Sequence, residues 1–418
     1  MAQLSDDCFA FGGPMQTVDE TTAIIASRLD AVTESELVPL LGADGRILAR
    51  DIVAPLPLPP FTNSAVDGYA VHGEDLPQTV EKVFPVAGRI QAGMARGLSV
   101  APGQAARIFT GAPMPDGADT VYMQEDVRLD DAGRVVLPPG LKRGANVRPA
   151  GEDIPVGKVG LQAGQAMRPQ DIALAAALGM TQIEVRRKIR VAIFSTGDEI
   201  VAPGSVRGAA QLFDSNRFML MAMLTRLGCE ITDLGVLTDD SRRIADALSE
   251  VAPKHDLILA SGGVSTGEAD YVKSAVESVG KLVFWRVAIK PGRPVAMGVI
   301  GGTAFIGLPG NPVASFVTFA HIARTAILAL AGARQQPLVP AFVRAAFSYK
   351  KKEGRREYVR ASLRRHENGS YEVVKFPREG AGLLSSLVET DGLVELGEKT
   401  TRVEPGHTVP FLAYASLL

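Results

Sequence analysis

The stretch from Asp256 to Asp270, Asp-Leu-Ile-Leu-Ala-Ser-Gly-Gly-Val-Ser-Thr-Gly-Glu-Ala-Asp, combines groups that suit an anion with groups that repel one. Residues 257–260 are an apolar run and read as a buried strand. Ser261, Gly262, Gly263, Ser265 and Gly267 form a small-residue turn, and a helical pattern opens just after it. Glycines let main-chain N–H groups approach a ligand closely, and a helix N-terminus favours negative charge. Glu268 and Asp270 would repel that charge unless a hard divalent metal sits between. The stretch therefore points to a phosphate-bearing substrate handled with a metal ion.

Three further loops carry polar groups beyond expected strands. Residues 191–194 run into Ser195-Thr196-Gly197-Asp198-Glu199, residues 231–236 into Thr238-Asp239-Asp240, and residues 304–308 into Pro309-Gly310-Asn311-Pro312. In an open parallel sheet, ligands bind beyond the carboxyl ends of the strands, so these loops and the glycine turn converge on one edge. Each loop alone has a plainer account. Thr-Gly-Asp-Glu suits a turn with charge at a helix start, Asp239-Asp240 suits a helix start, and Asn311-Pro312 suits an N-cap with proline at the first helical position. Cations gather at Arg286, Lys290 and Arg293 around Pro291-Gly292. Solvation explains such a run by itself; beside a phosphate site it can clamp an oxyanion.

These loops need a scaffold. From residue 190 the pattern alternates strand and helix, which predicts an open, largely parallel α/β sheet. Its first helix follows Asp214-Ser-Asn, with Phe218, Met221, Leu224 and Leu227 expected to face inward. Upstream, Thr17-Val-Asp-Glu20 is a capping-box pattern opening a helix to about Leu29, with Ile24, Ile25 and Leu29 on its buried face. The proline-dense segment 55–60 is an extended connector. Residues 61–149 read as a small, barrel-like β module, with short strands near 82–86, 105–109, 120–123 and 134–137. Within it Asp67-Gly68 reads as a turn and 111–117 as a tight loop. Arg168-Pro-Gln-Asp171 opens a helix that stops at Gly179. After a linker at 332–340, strands alternate with turns at Gly369, Asp391-Gly392 and Pro405-Gly406.

Composition excludes several classes. A chain of 418 residues exceeds one ordinary core. A net charge of −2 with mixed signs offers no basic stripe for nucleic acid. Two cysteines, Cys8 and Cys229, make no disulfide framework, and Cys229 reads as a buried, inert thiol. The five histidines form no ligand-spaced pair. The N-terminus lacks a secretory pattern, and no apolar run reaches the ~20 residues of a membrane helix. The expectation is a cytoplasmic protein with no membrane and no nucleic-acid partner.

Eight ordered segments, PPFTNSAVDGYA, RIFTGAPMPDGAD, AGEDI, STGDEI, DSN, SGGVSTGEADY, AIKPGRP and LPGNPV, resemble the MoeA family of molybdopterin molybdenumtransferases, which includes the E domain of gephyrin. The resemblance implies a multidomain α/β plus all-β fold. Its parts are an elongated linking domain at 1–45 and 150–187, a β-rich insertion at 46–149, a molybdopterin-binding α/β domain at 188–333, and a C-terminal barrel-like β domain at 334–418. It implies a homodimer whose cleft lies between the α/β domain of one subunit and the β insertion of the other. The implied reaction inserts molybdenum from molybdate into adenylylated molybdopterin, with magnesium-dependent release of AMP. The adenylyltransferase and molybdoenzyme chaperones are candidate protein partners.

Carried over residue by residue, the resemblance assigns catalytic roles to Asp67, Thr110, Asp153, Glu199, Asp239, Asp270 and Lys290. Substrate binding falls to Thr196, Gly197, Asp198, Ser261, Gly262, Gly263, Ser265, Gly267, Arg286, Arg293, Pro309 and Pro312. Glu199, Asp240 and Asp270 would hold magnesium, with Asp239 or Asp240 filling the middle place. In the last domain, Arg356 and Ser385 or Ser386 fall near the family pattern. Arg286 and Arg293 stand where relatives often carry lysine, and Thr62 where an aspartate is common. Two alternatives stay open at this point: a non-catalytic molybdopterin carrier or scaffold, and a molybdopterin adenylyltransferase using ATP.

Overall fold

The computed structural model describes residues 15–94, 97–263, 271–292, 294–334, 337–367 and 369–417; the side chains of 283–286 and 294 are also outside the description. Contacts divide the chain into two compact units. One comprises the chain up to Ala49, Gly164–Arg168, and Ile183 onward; the other comprises Arg50–Ala163 and Pro169–Gln182.

The smaller unit is built on two open sheets. Val86–Ile90, Ala105–Ile108, Gly68–Val71 and Thr120–Met123 are neighbours in one, and Lys82–Phe84, Val135–Leu137 and Arg128–Leu129 in the other. Among the described residues the pairings do not close either sheet into a barrel, contrary to the sequence expectation. Tyr69 and Val71 pack with Phe84, Tyr122 and Leu137, while Ala70 packs with Ile90, Ile108 and Val121 on the opposite face. Burial on both faces makes Gly68–Val71 a central strand rather than the flank of a turn. Gly68 is required by crowding: a Cβ there would lie 1.8 Å from the Tyr122 carbonyl oxygen. The Pro169–Ala177 helix forms as its sequence predicts and ends near Gly179 at φ 82°.

In the larger unit, the Val18–Arg28 helix opens on the expected capping box. The Thr17 hydroxyl accepts from the Glu20 N–H at 3.2 Å, and the Glu20 carboxylate accepts from the Thr17 N–H at 2.9 Å. Ile25 and Leu29 then join the core beneath the α/β sheet.

That sheet has six strands in the order Glu230–Leu237, Arg190–Thr196, Leu257–Ser261, Thr303–Leu308, Pro294–Ile300, Gly280–Arg286. The first four are parallel, and the last two complete an antiparallel edge. Leu257–Ser261 is buried throughout, as a continuous apolar run in a two-sided sheet must be. The Asn216–Arg226 helix buries Leu220, Met223 and Leu224 together with Asn216 and Arg217. Phe218, expected inside, is 47% exposed. The helix is phased by a buried ion pair instead: Arg217 Nε donates to Asp214 at 2.8 Å, and the guanidinium also reaches Asp233. Leaving that guanidinium inside without partners would cost several kcal/mol, more than turning one phenyl ring outward.

Pro312–Leu330 is a continuous helix of 19 residues, long and apolar enough by composition to cross a membrane. Ser315, Thr318, His321, Arg324 and Thr325 interrupt its apolar sequence, in keeping with the absence of an unbroken apolar run of that length in the sequence. Burial accounts for its apolar composition, since most of the helix is buried inside the protein. Val313, Val317, Phe319 and Ile327 belong to the same core as the sheet and the N-terminal helix.

The C-terminal strands close into a ring. Arg356–Arg365, Tyr371–Lys375, Ala341–Ala345, Thr408–Ala413 and Gly392–Leu396 pair in succession, and Gly392–Leu396 pairs back to Arg356–Arg365. Val359, Ala361, Val373, Val394 and Phe411 fill the interior. Gly392, read as part of a turn, lies in a strand where a Cβ would meet the Leu412 carbonyl oxygen at 2.2 Å. Ile289–Lys290 pairs in parallel with Arg356–Glu357, joining the ring to the chain that leaves the α/β sheet.

Candidate active site

A cleft of about 880 Å³ opens in the larger unit. One wall is the carboxyl edge of the parallel strands, and the other comes from the C-terminal ring. Ser195, Thr196, Gly197 and Glu199 line it after the first strand of the domain, Asp239 after the second, Ser261 to Gly263 after the third, and Pro309 to Pro312 after the fourth. The four loops therefore do converge on one edge.

The glycine turn has no room for side chains. Gly262 and Gly263 sit at φ 88° and 64°, and a Cβ on Gly263 would lie 2.5 Å from Val272 and 2.6 Å from Thr196. Asn216 ties the edge together: its amide donates to Ser261 Oγ at 3.1 Å and to the Gly310 carbonyl at 2.7 Å. Its own Oδ1 and the Ser195 hydroxyl are buried with no partner among the described residues. Unpaired polar atoms at the floor of a cleft mark places where a bound molecule can complete the bonding.

Asp239 is held from both sides. Thr196 Oγ1 donates to one carboxylate oxygen at 2.7 Å, and the Asp198 N–H approaches the other at 3.3 Å. Asp198 thus contributes its backbone N–H, while Glu199 lines the cleft. Asp240 has a different occupation. Its carboxylate caps the Ser241–Val251 helix, accepting from the N–H groups of Arg242 at 2.9 Å and Arg243 at 3.1 Å, and Asp240 is not among the cleft residues.

On the opposite wall Lys290, Arg355, Arg360, Lys375 and Arg378 outnumber the two carboxylates Glu357 and Glu379. Arg360 is nearly buried; its Nε donates to Ser386 Oγ at 3.0 Å and an Nη to the Gly380 carbonyl at 3.1 Å. Burial draws its guanidinium below the usual arginine range. Arg356, which the sequence places near the family pattern, lies outside the cleft lining and is engaged by Asp19, Glu395 and Glu398.

Asp67, Thr110 and Asp153 belong to the smaller unit and are not among these cleft residues. Asp67 accepts from the Thr110 N–H at 2.8 Å and from its hydroxyl at 2.7 Å, which together hold its carboxyl below the ordinary range. The Asp153 side chain is exposed. Ser265, Gly267, Asp270 and Arg293 lie outside the described residues, as does the side chain of Arg286. Sequence reasoning assigned no role to Arg360, Lys375, Tyr349 or Glu357, because no local pattern links the ring strands to the α/β loops. Asn216 was quoted within a family segment, yet its local signal is only that of a residue at a helix start.

This is a ligand-binding α/β domain with its site at the strand ends, combined with a β-barrel and a β-rich unit. Residues 192–329 match the family model described as a probable molybdopterin binding domain. Residues 16–179 match the MoeA N-terminal region, domains I and II, and residues 343–414 the MoeA C-terminal region, domain IV. The chain is 37% identical over 405 residues to the molybdopterin molybdenumtransferase of Haemophilus influenzae, covering 97% of this chain and 100% of the relative. It is 35% identical to the enzyme of the same name from Nostoc sp., covering 95% and 93%. A crystal structure of the molybdopterin biosynthesis moeA protein from Pyrococcus horikoshii OT3 superposes with a TM-score of 0.82 at 29% identity, covering 96% of this chain and 100% of that one. The chain belongs to the MoeA family of molybdopterin molybdenumtransferases.

Proposed function

We propose that the protein inserts molybdenum from molybdate into adenylylated molybdopterin and releases AMP with the help of magnesium. The observation that carries this reading is the polarity of the cleft: a glycine cradle with carboxylates on one wall, and five basic side chains on the other. Molybdate, a dianion, belongs at the basic wall, with Lys290 and Arg360 as its attractants. The phosphate of the pterin substrate belongs at Gly262 and Gly263, where main-chain groups can approach it.

Among the described residues no three metal-ligating side chains cluster, but the two carboxylates on the acidic wall suit magnesium. This ion keeps several waters and takes only one or two carboxylates along with substrate phosphates. Glu199 and Asp239 line the cleft, and Asp239 keeps acceptor capacity beyond its bonds to Thr196 and Asp198. Glu199 and Asp239 would hold the ion, with Asp270 as third donor; Asp240, already serving as a helix cap, is the weaker candidate. When bound, magnesium neutralises the diphosphate and polarises its phosphoryl oxygens. The chain's own residues do the rest: Thr196 orients Asp239, Asn216 fixes the third and fourth loops relative to each other, and the basic wall orients the metal oxyanion.

We further propose the four-part domain division read from the sequence, and a homodimer in which Asp67, Thr110 and Asp153 act at the cleft of a second copy. Asp270→Asn tests the acidic set. It is expected to abolish AMP release while preserving the circular dichroism spectrum. Wild-type release in that variant would remove Asp270 from the mechanism.

A further inference from the structure

Lys290 does not stand alone in the cleft. Sheet register sets it directly against Glu357 on the neighbouring parallel strand. Lys290 Nζ donates to Glu357 Oε2 at 3.0 Å and approaches Tyr349 Oη at 3.4 Å. The Tyr349 hydroxyl donates to the same carboxylate oxygen at 2.8 Å, closing a three-membered network. The Glu357 side chain is 2% exposed, whereas that of Lys290 is 43% exposed. A second cleft lysine, Lys375, lies over the Tyr349 ring, 5.8 Å from its centre.

An ammonium has three N–H groups. With one on Glu357 and one directed at Tyr349, the third is left for the cleft. Lysine is otherwise a flexible point charge, and ordering its stem costs rotamer freedom. A buried carboxylate on a rigid strand removes that freedom before any ligand arrives. Burying Glu357 without a cation would be costly, so the pair is held together from both ends.

We infer that Glu357 and Tyr349 are positioning residues that aim the Lys290 ammonium at the oxyanion substrate. This rests on the reading of the cleft as a molybdate-using site. Neither residue touches the reacting atoms; both act through Lys290.

The test uses the full-length protein, adenylylated molybdopterin, magnesium and molybdate, with AMP release as the readout. Glu357→Gln keeps size and hydrogen-bonding capacity but removes the charge. Tyr349→Phe removes one hydroxyl, and serves if the buried glutamine impairs folding. Each is expected to raise the KM for molybdate, Glu357→Gln by roughly ten-fold, while leaving the KM for the pterin substrate and the melting temperature near wild type. In a Lys290→Met background, neither substitution should raise the molybdate KM further, because the group they position is gone. An unchanged molybdate KM in both variants would overturn the inference. So would effects that simply multiply with that of Lys290→Met, since a purely structural role adds independently. If the wild-type chain itself shows no molybdate-dependent release, it is the reading of the site that fails.

Discussion

The Thr196–Asp239 contact allows the acidic wall to be tested without removing a charge. Thr196→Val is nearly isosteric and deletes only the hydroxyl that donates to Asp239 at 2.7 Å. Thr196 is 4% exposed, so the new methyl group replaces the hydroxyl in a packed setting. A hydrogen bond to a charged group contributes about 1.5–3 kcal/mol. Asp239 is only half-buried, so water recovers part of that, leaving about 1–2 kcal/mol. If the orientation of Asp239 matters in the transition state, kcat/KM for AMP release falls by roughly 5- to 30-fold. Thr196→Ser, which restores the hydroxyl, should recover most of the loss. The assay is AMP release at saturating magnesium with both variants confirmed as folded. Wild-type kinetics in Thr196→Val would refute the claim that this bond sets the acidic wall.

Two further predictions concern titratable groups. His321 is buried against Tyr358, with ring centres 4.0 Å apart, and burial together with Arg356 and Arg324 lowers its pKa to about 3. It stays neutral in the folded protein while the unfolded chain titrates near the ordinary imidazole value of 6.5, so stability falls as pH drops from 6.5 toward 3. Denaturant midpoints at pH 5 and 7 should show this loss, at most about 1.4 kcal/mol per pH unit from this group, and His321→Asn should flatten it; an unchanged slope would contradict the assignment. Burial, with Asp256 adding to it, pushes the Cys229 thiol up to about 12. In a Cys8→Ser background the native protein should therefore resist thiol labelling at pH 8 until it is denatured, and rapid labelling would show the thiol to be accessible.

What was legible in the sequence was whatever a local pattern dictates. The Leu257–Ser261 strand, the two glycines directly after it and the capping box at Thr17 each follow from adjacent residues, and each stands where expected. Convergence of the loops on one edge followed too, because parallel strands present their carboxyl ends together. The partner of Lys290 was not legible. Glu357 is 67 residues away in sequence and meets it only through strand register. The phase of the Asn216–Arg226 helix was misread because an ion pair with Asp233 on another strand, rather than the apolar periodicity, turns it. Gly68 and Gly392 look like turn residues, yet both lie in strands where a neighbouring carbonyl occupies the space of a Cβ. Arg360 on a ring strand meets Ser386 in the short Ser385–Val388 helix, a contact 26 residues apart with no local sequence signature.

The central claim is tested most directly by incubating the purified full-length protein with adenylylated molybdopterin and magnesium, with and without molybdate, and quantifying AMP. The cleft described here predicts release that depends on molybdate and is lost when magnesium is chelated. Tight binding of the pterin substrate by folded protein, with no AMP released under either condition, would contradict it and leave a carrier or scaffold in its place.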